Sequence, residues 1–124
     1  MTGVAITQLA IRVVLALIFV VAGVLHFTAT RQYAAIMPGW VPLSANLVVQ
    51  ITGVMEVAGG VGLLVPALLR PAGICLILFL VAVFPANVVA AQHNVPLMNP
   101  IWARGLAQVV LIAAIGWVAL FPKT

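Results

Sequence analysis

Acidic residues are almost missing from this chain. Glu56 is the only Asp or Glu in 124 positions, and charged residues of both signs make up 5% of the sequence. A soluble domain carries about 25% charged residues, so this one has too few to build a water-compatible surface. Cysteine occurs once, as Cys75. That excludes an intramolecular disulfide, and a lone thiol in an apolar run reads as packing rather than redox chemistry. No nucleophile–base pair, glycine-rich phosphate loop or metal-ligand spacing is present, which leaves an enzyme acting alone behind other function classes. The basic residues Arg12, Arg31, Arg70, Arg104 and Lys123 fall one per segment or connection. The net charge of +4 therefore forms no stripe suited to nucleic acid. The first apolar stretch lacks the basic start and small-residue cleavage site of a secretory signal, so it is expected to remain as a helix. No internal repeat or low-complexity segment occurs.

What is present is apolar. Hydrophobic residues make up 66% of the chain and mean hydropathy is +1.36. These values predict an integral membrane protein of one domain, with the lipid bilayer as its first partner. A membrane span needs about 20 apolar residues. After the breaks at Pro42-Leu-Ser, Pro66, Arg70-Pro71, Asn99-Pro100 and Pro122, the chain has room for four. The expected fold is all-α: an up-down-up-down bundle with helices over about 6–27, 44–65, 70–91 and 101–121. Ser44 is a suitable N-cap, and Pro71 and Pro100 stand at first-turn positions where the missing N–H costs nothing. Pro85 falls inside the third helix, where it removes the bond to the Val81 carbonyl and should kink it. The first connection, Thr28 to Leu43, is the longest. It reads as a short interfacial helix over Thr30 to Ile36 and then a turn through Pro38-Gly39-Trp40. It serves either as an aromatic anchor or as a lid over a site between the helices. Trp102 and Trp117 read as interfacial belt residues. Arg12, Arg70 and Lys123 lie on the side of both termini, against Arg31 and Arg104 on the other, which predicts cytoplasmic termini.

Glu56 is the centre of the pattern. On a helix it shares a face with Val49, Gly53, Gly60 and Leu63. An ionisable group within a span is a functional-site candidate, and glycines on its face let a second helix approach. The plain alternative is a structural ion pair that locks two helices. With helices of 1.5 Å rise starting from common membrane faces, Arg12 is offset from Glu56 by about 5 Å and Arg104 by about 12 Å. Arg12 is therefore the expected partner, although an Arg near a helix end can also snorkel. The same estimate places His26, Asn87, Arg104 and Gln108 at one depth, near the first loop. They are expected to form one polar network around a small cavity, with Trp40 at its mouth. His93 and Asn94 lie in the third connection.

In order along the chain, Gly23-Val-Leu-His26-Phe27, Trp40-Val-Pro42, Gly53-Val-Met-Glu56-Val-Ala-Gly-Gly60, Val83-Phe-Pro85-Ala-Asn87 and Arg104-Gly-Leu-Ala-Gln108 resemble the DoxX family. That resemblance implies a small four-helix protein of the bacterial cytoplasmic membrane. Some members of that family are subunits of thiosulfate:quinone oxidoreductase, and a distant eukaryotic relative is a receptor-assembly chaperone. The pattern carries over onto His26, Glu56, Pro85, Asn87, Arg104 and Gln108. It departs after Arg104, where Gly105 stands in place of a second proline. Two functions result. The first is a quinone- or lipophile-binding accessory subunit of a membrane redox system, its donors being His26, Asn87, Arg104 and Gln108. The second is a non-catalytic structural or assembly protein, whose polar core holds the bundle to a partner or to a second copy. The residues name no cofactor; a quinone is one candidate for this donor set. A haem would need His26 and His93 to face each other and is disfavoured.

Overall fold

Each apolar run between breaks folds as a helix, since only a helix pairs its backbone N–H and C=O groups within a single segment. The computed structural model describes residues 2–35, 37–40, 42, 44–92 and 101–123, the side chains of Tyr33, Asn87, Ala90, Ala91, Gln92 and Ile101 excepted. Helix α1 spans Gly3–Thr28. Thr2 caps it by accepting the Ala5 N–H at 3.0 Å. At its other end the Thr30 hydroxyl lies 2.6 Å from the His26 carbonyl and 3.0 Å from that of Phe27, occupying acceptors that the helix leaves open. Helix α2 is the short Thr30–Ala35, followed by α3 at Ala45–Gly62, α4 at Leu69–Gln92 and α5 at Ile101–Leu120. No strand occurs among the described residues. Four of the helices are long and apolar enough to cross a membrane.

The boundaries differ from expectation in two places. Helix α3 stops at Gly62 rather than near residue 65, and a 3-10 turn over Pro66–Leu68 leads into α4. Pro66 biases the residue before it away from helical angles, and Val65 is extended at φ −98°, ψ 113°. Ser44 holds the N-cap position without a side-chain cap bond. Helix α4 runs on through Pro85. The Asn99-Pro100 cap and the His93–Asn94 segment lie outside the described residues.

The four long helices alternate in direction. Gly23 of α1 meets Gly53 of α3, while Ala16 and Phe19, earlier in α1, meet Gly60, later in α3. Gly59 and Gly62 of α3 lie against Leu76 and Ala72 of α4 in the same antiparallel sense, and Gly73 of α4 lies against Ala119 of α5. Gln8 of α1 bonds to carbonyls at the end of α5, which closes the bundle. Its interior is a cluster that includes Leu15, Phe19, Leu63, Leu76, Phe79, Ile115 and Val118. Outward-facing positions on all four long helices hold exposed large apolar residues, among them Val14, Leu17, Val54, Leu78, Val81, Val109 and Val110.

The α1–α3 crossing is a close approach of backbone to backbone that fixes register. A Cβ on Gly53 would stand 2.7 Å from the Cβ of His26 and 2.9 Å from the Gly23 carbonyl oxygen. Only glycine permits backbones this near. The crossing also staggers the two helices. Flush helix ends would set Glu56 near Leu15, whereas the Gly23–Gly53 and Ala16–Gly60 contacts set it roughly five residues, or about 7.5 Å, further along α1. Glu56 is thus level with the stretch leading to His26, and the end of α1 is level with the first turns of α3.

Gly53→Ala should destabilise the protein by about 1–3 kcal/mol through overpacking at this contact. Gly116→Ala, where an added Cβ meets nothing within 4 Å, should be neutral or stabilising by up to about 1 kcal/mol. Thermal unfolding of both variants in detergent tests this, and equal effects would show that the crossing does not set the packing.

Candidate functional site

Glu56 is buried in the middle of α3 and faces α1. Its Oε2 lies 3.2 Å from Nδ1 of His26. The same nitrogen lies 2.7 Å from the Ala22 carbonyl oxygen. A carbonyl only accepts, so Nδ1 carries the hydrogen and donates it to Ala22, which fixes the ring orientation. The Nδ1–Oε2 approach is consequently close in distance but not an aligned hydrogen bond. Oε2 is buried and has no hydrogen-bond partner among the described residues. We read the contact as electrostatic proximity, because the donor hydrogen is directed at the nearer oxygen.

Arg12 is not the partner of Glu56. Its Nε donates to the Leu63 carbonyl at 2.9 Å, an orphan acceptor just beyond the last turn of α3, where a cation also suits the helix dipole. The expectation of an Arg12–Glu56 pair assumed flush helices, and the stagger moves Glu56 away from Arg12 and towards His26. Gln8, one turn earlier on the same face of α1, plays a matching part. Its Nε2 donates to the carbonyls of Trp117 at 3.3 Å and Phe121 at 3.1 Å. Its Oε1 accepts the Lys123 N–H at 2.7 Å. Gln8 is 3% exposed, so this is an interior staple and not a snorkelling side chain. The one sequence signal for it is an amide four residues before Arg12 in an otherwise apolar helix.

The remaining candidates fall as follows. Arg104 is buried in α5. Gln108, one turn further on, is partly buried, and its Oε1 has no hydrogen-bond partner among the described residues. The Asn87 side chain and His93 lie outside the described residues. His26 and Trp40 line a cavity of about 520 Å³ between α3 and α4, beneath the turn that carries Met37 and Pro38. Arg104 and Gln108 do not line it. Its other walls are mostly apolar: Val48, Val49 and Met55 from α3, and Leu78, Phe79 and Ala82 from α4. Trp40, Met55 and Leu78 are exposed along its edge. A second cavity of about 310 Å³ lies further down the α3–α4 seam and shares Met55, Cys75 and Phe79 with the first. No group of three metal-ligating side chains occurs among the described residues.

What the first cavity can do chemically follows from these walls. It can hold an apolar body of small-molecule size and offer it one oriented imidazole, with a carboxylate behind that ring.

Removing one member of a buried pair leaves the other uncompensated, so His26→Ala should cost about 3 kcal/mol. The double change His26→Ala with Glu56→Leu should cost less than the sum of the single changes. Thermal unfolding of the set in detergent decides, and strict additivity would mean the two side chains are not coupled.

The family model described as a domain of unknown function, DUF8561, matches residues 15–119, and the chain belongs to that family. No curated protein matches the chain, and no solved structure does. The resemblance to DoxX proteins is overturned by this assignment. Its quoted strings are short, and small residues at helix crossings with prolines near helix starts recur wherever apolar helices pack closely. The bacterial cytoplasmic membrane, the redox-subunit role and the carried-over residue roles came with that resemblance and lose its support.

Proposed function

We propose that this DUF8561 protein is an integral multi-pass membrane protein that binds a small lipophile in the cavity beneath the first loop. Membrane integration is supported by the outer surface. All four long helices expose Val, Leu and Ile outwards, and soluble monomers rarely expose apolar patches beyond a few hundred Å². The balance of basic residues orients both termini to the cytoplasm.

The observation that carries the binding reading is the cavity of about 520 Å³ with the His26 imidazole in its wall. Apolar lining with few polar groups is the usual make-up of a small-molecule site. The ring is held by the Ala22 carbonyl and backed by Glu56, so it is preorganised for a single polar atom of a ligand. Long-chain alcohols fall within the class of apolar molecules with a donor head; quinones and other carbonyl compounds offer only acceptors, as does the second ring nitrogen when Nδ1 holds the hydrogen. A structural or assembly role is the second reading, favoured by Gln8 and Arg12, whose bonds go wholly to backbone groups near helix ends.

Ala82→Trp separates the two readings. Ala82 lines the cavity from an exposed position on α4, so an indole there fills the space without disturbing the interior. Mass spectrometry of lipid extracts from purified protein should show a lipophile retained by the wild type and lost from Ala82→Trp, with little change in thermal stability. A protein that retains no such species, and whose extract Ala82→Trp leaves unchanged, would point to the structural reading.

A further inference from the structure

We infer that the occupant is a long, single-chain amphiphile with a neutral hydroxyl head, whose tail leaves the first cavity and runs down the α3–α4 seam through the second. This rests on the binding reading above and specifies its ligand.

The two cavities are joined by the residues they share, Met55, Cys75 and Phe79. Their chemistry is polarised along the seam. The upper cavity has His26 and Trp40, whereas the lower one is lined by apolar residues, glycines and Cys75. A head therefore belongs at the top and a hydrocarbon chain below it. Neither cavity has a Lys or Arg among its described lining residues, so no cation is placed to hold a phosphate or carboxylate head. A neutral hydroxyl head is what remains for this end of the seam.

Length supports a long chain. From Val48 in the upper cavity to Gly62 in the lower one is about 21 Å along α3. One leaflet of a bilayer is roughly 15 Å deep, half the hydrocarbon core, so the seam can take a full-length lipid tail. A second helix does not fit this path, since a helix with its side chains is about 10 Å across and Met37, Pro38 and Trp40 cover the upper end.

The test uses the full-length protein in nanodiscs with photoreactive analogues of octanol and hexadecanol, labelled sites being mapped by mass spectrometry. In the wild type, both should label the upper cavity, only the hexadecanol analogue should label around Gly59 and Leu68, and hexadecanol should outcompete octanol. Ala58→Trp and Leu68→Trp plug the lower cavity from exposed positions. Each should abolish the preference for hexadecanol while octanol labelling persists, and that persistence shows that the variants fold. If both variants keep the preference, the tail lies elsewhere and the inference fails, while the binding reading stands. Failure of either analogue to label the upper cavity of the wild type overturns both. Disulfide cross-links between Cys75 of two copies, with no labelling of the seam, would assign it to a second chain and overturn the inference.

Discussion

Everything else in this bundle depends on the contact of α1 with α3 at Gly23 and Gly53. With no side chain between them, backbone lies against backbone, and a Cβ at either position would fall within 3 Å of its neighbour's atoms. Such a contact admits one register. It sets His26 over the Glu56 side of α3 and brings the end of α1 level with the first turns of α3. Those turns carry Val48, Val49 and Thr52, which wall the upper cavity with His26. The pair and the cavity are thus two results of one close approach.

Polar side chains are scarce here, and an apolar interior requires each to be satisfied. Gln8 and Arg12 bind backbone groups beyond the ends of α5 and α3, where the helix leaves carbonyls unpaired. They join the sequence-distant ends of the bundle on the side of the termini. Thr30 does the same for α1 at the opposite end. His26 and Glu56 differ: the ring donates locally to Ala22, and the carboxylate keeps a buried oxygen without a hydrogen bond among the described residues. A group left incompletely bonded in the interior is costly, and the ring it approaches, His26, is the one of the two that reaches the cavity wall. That contrast is the physical basis for separating structural polar residues from functional ones in this chain.

The helices were legible in the sequence because apolar runs of about 20 residues and proline breaks are local signals. The burial of Glu56 was legible for the same reason, since a lone carboxylate on a glycine-bearing face can only turn inwards. Its neighbour was not. Depth counted from helix ends supposes that helices begin together, and the Gly23–Gly53 contact breaks that supposition by about 7.5 Å. Gln8 shows a related gap: its partners lie more than a hundred positions away, and a single amide has no periodicity to reveal it. Trp40 could be placed near a cavity from its loop. The division that puts His26 on the cavity wall and Arg104 and Gln108 off it is set by helix rotation, which hydropathy does not encode.

Why the cavity opens between α3 and α4, and not between α1 and α3, follows from where the small residues stand. Along α3, Gly53 and Gly60 face α1 and draw it close over much of the helix. Towards α4 the glycines are confined to the far end, where Gly59 receives Leu76 and Gly62 receives Ala72. Nearer the first loop, α3 presents Val48, Thr52 and Met55 to α4, whose facing positions include Ala82, Pro85 and Ala86. With no glycine contact at that end, the helices stand apart there, and Leu78, Phe79 and Val83 of α4 line the gap without filling it. The pair α3–α4 is therefore pinned at one end and spread at the other, and the spread end lies under the loop that carries Trp40. A seam of this shape, narrow and apolar below and wider beside a histidine above, selects for a molecule with a head and a tail rather than for a compact one.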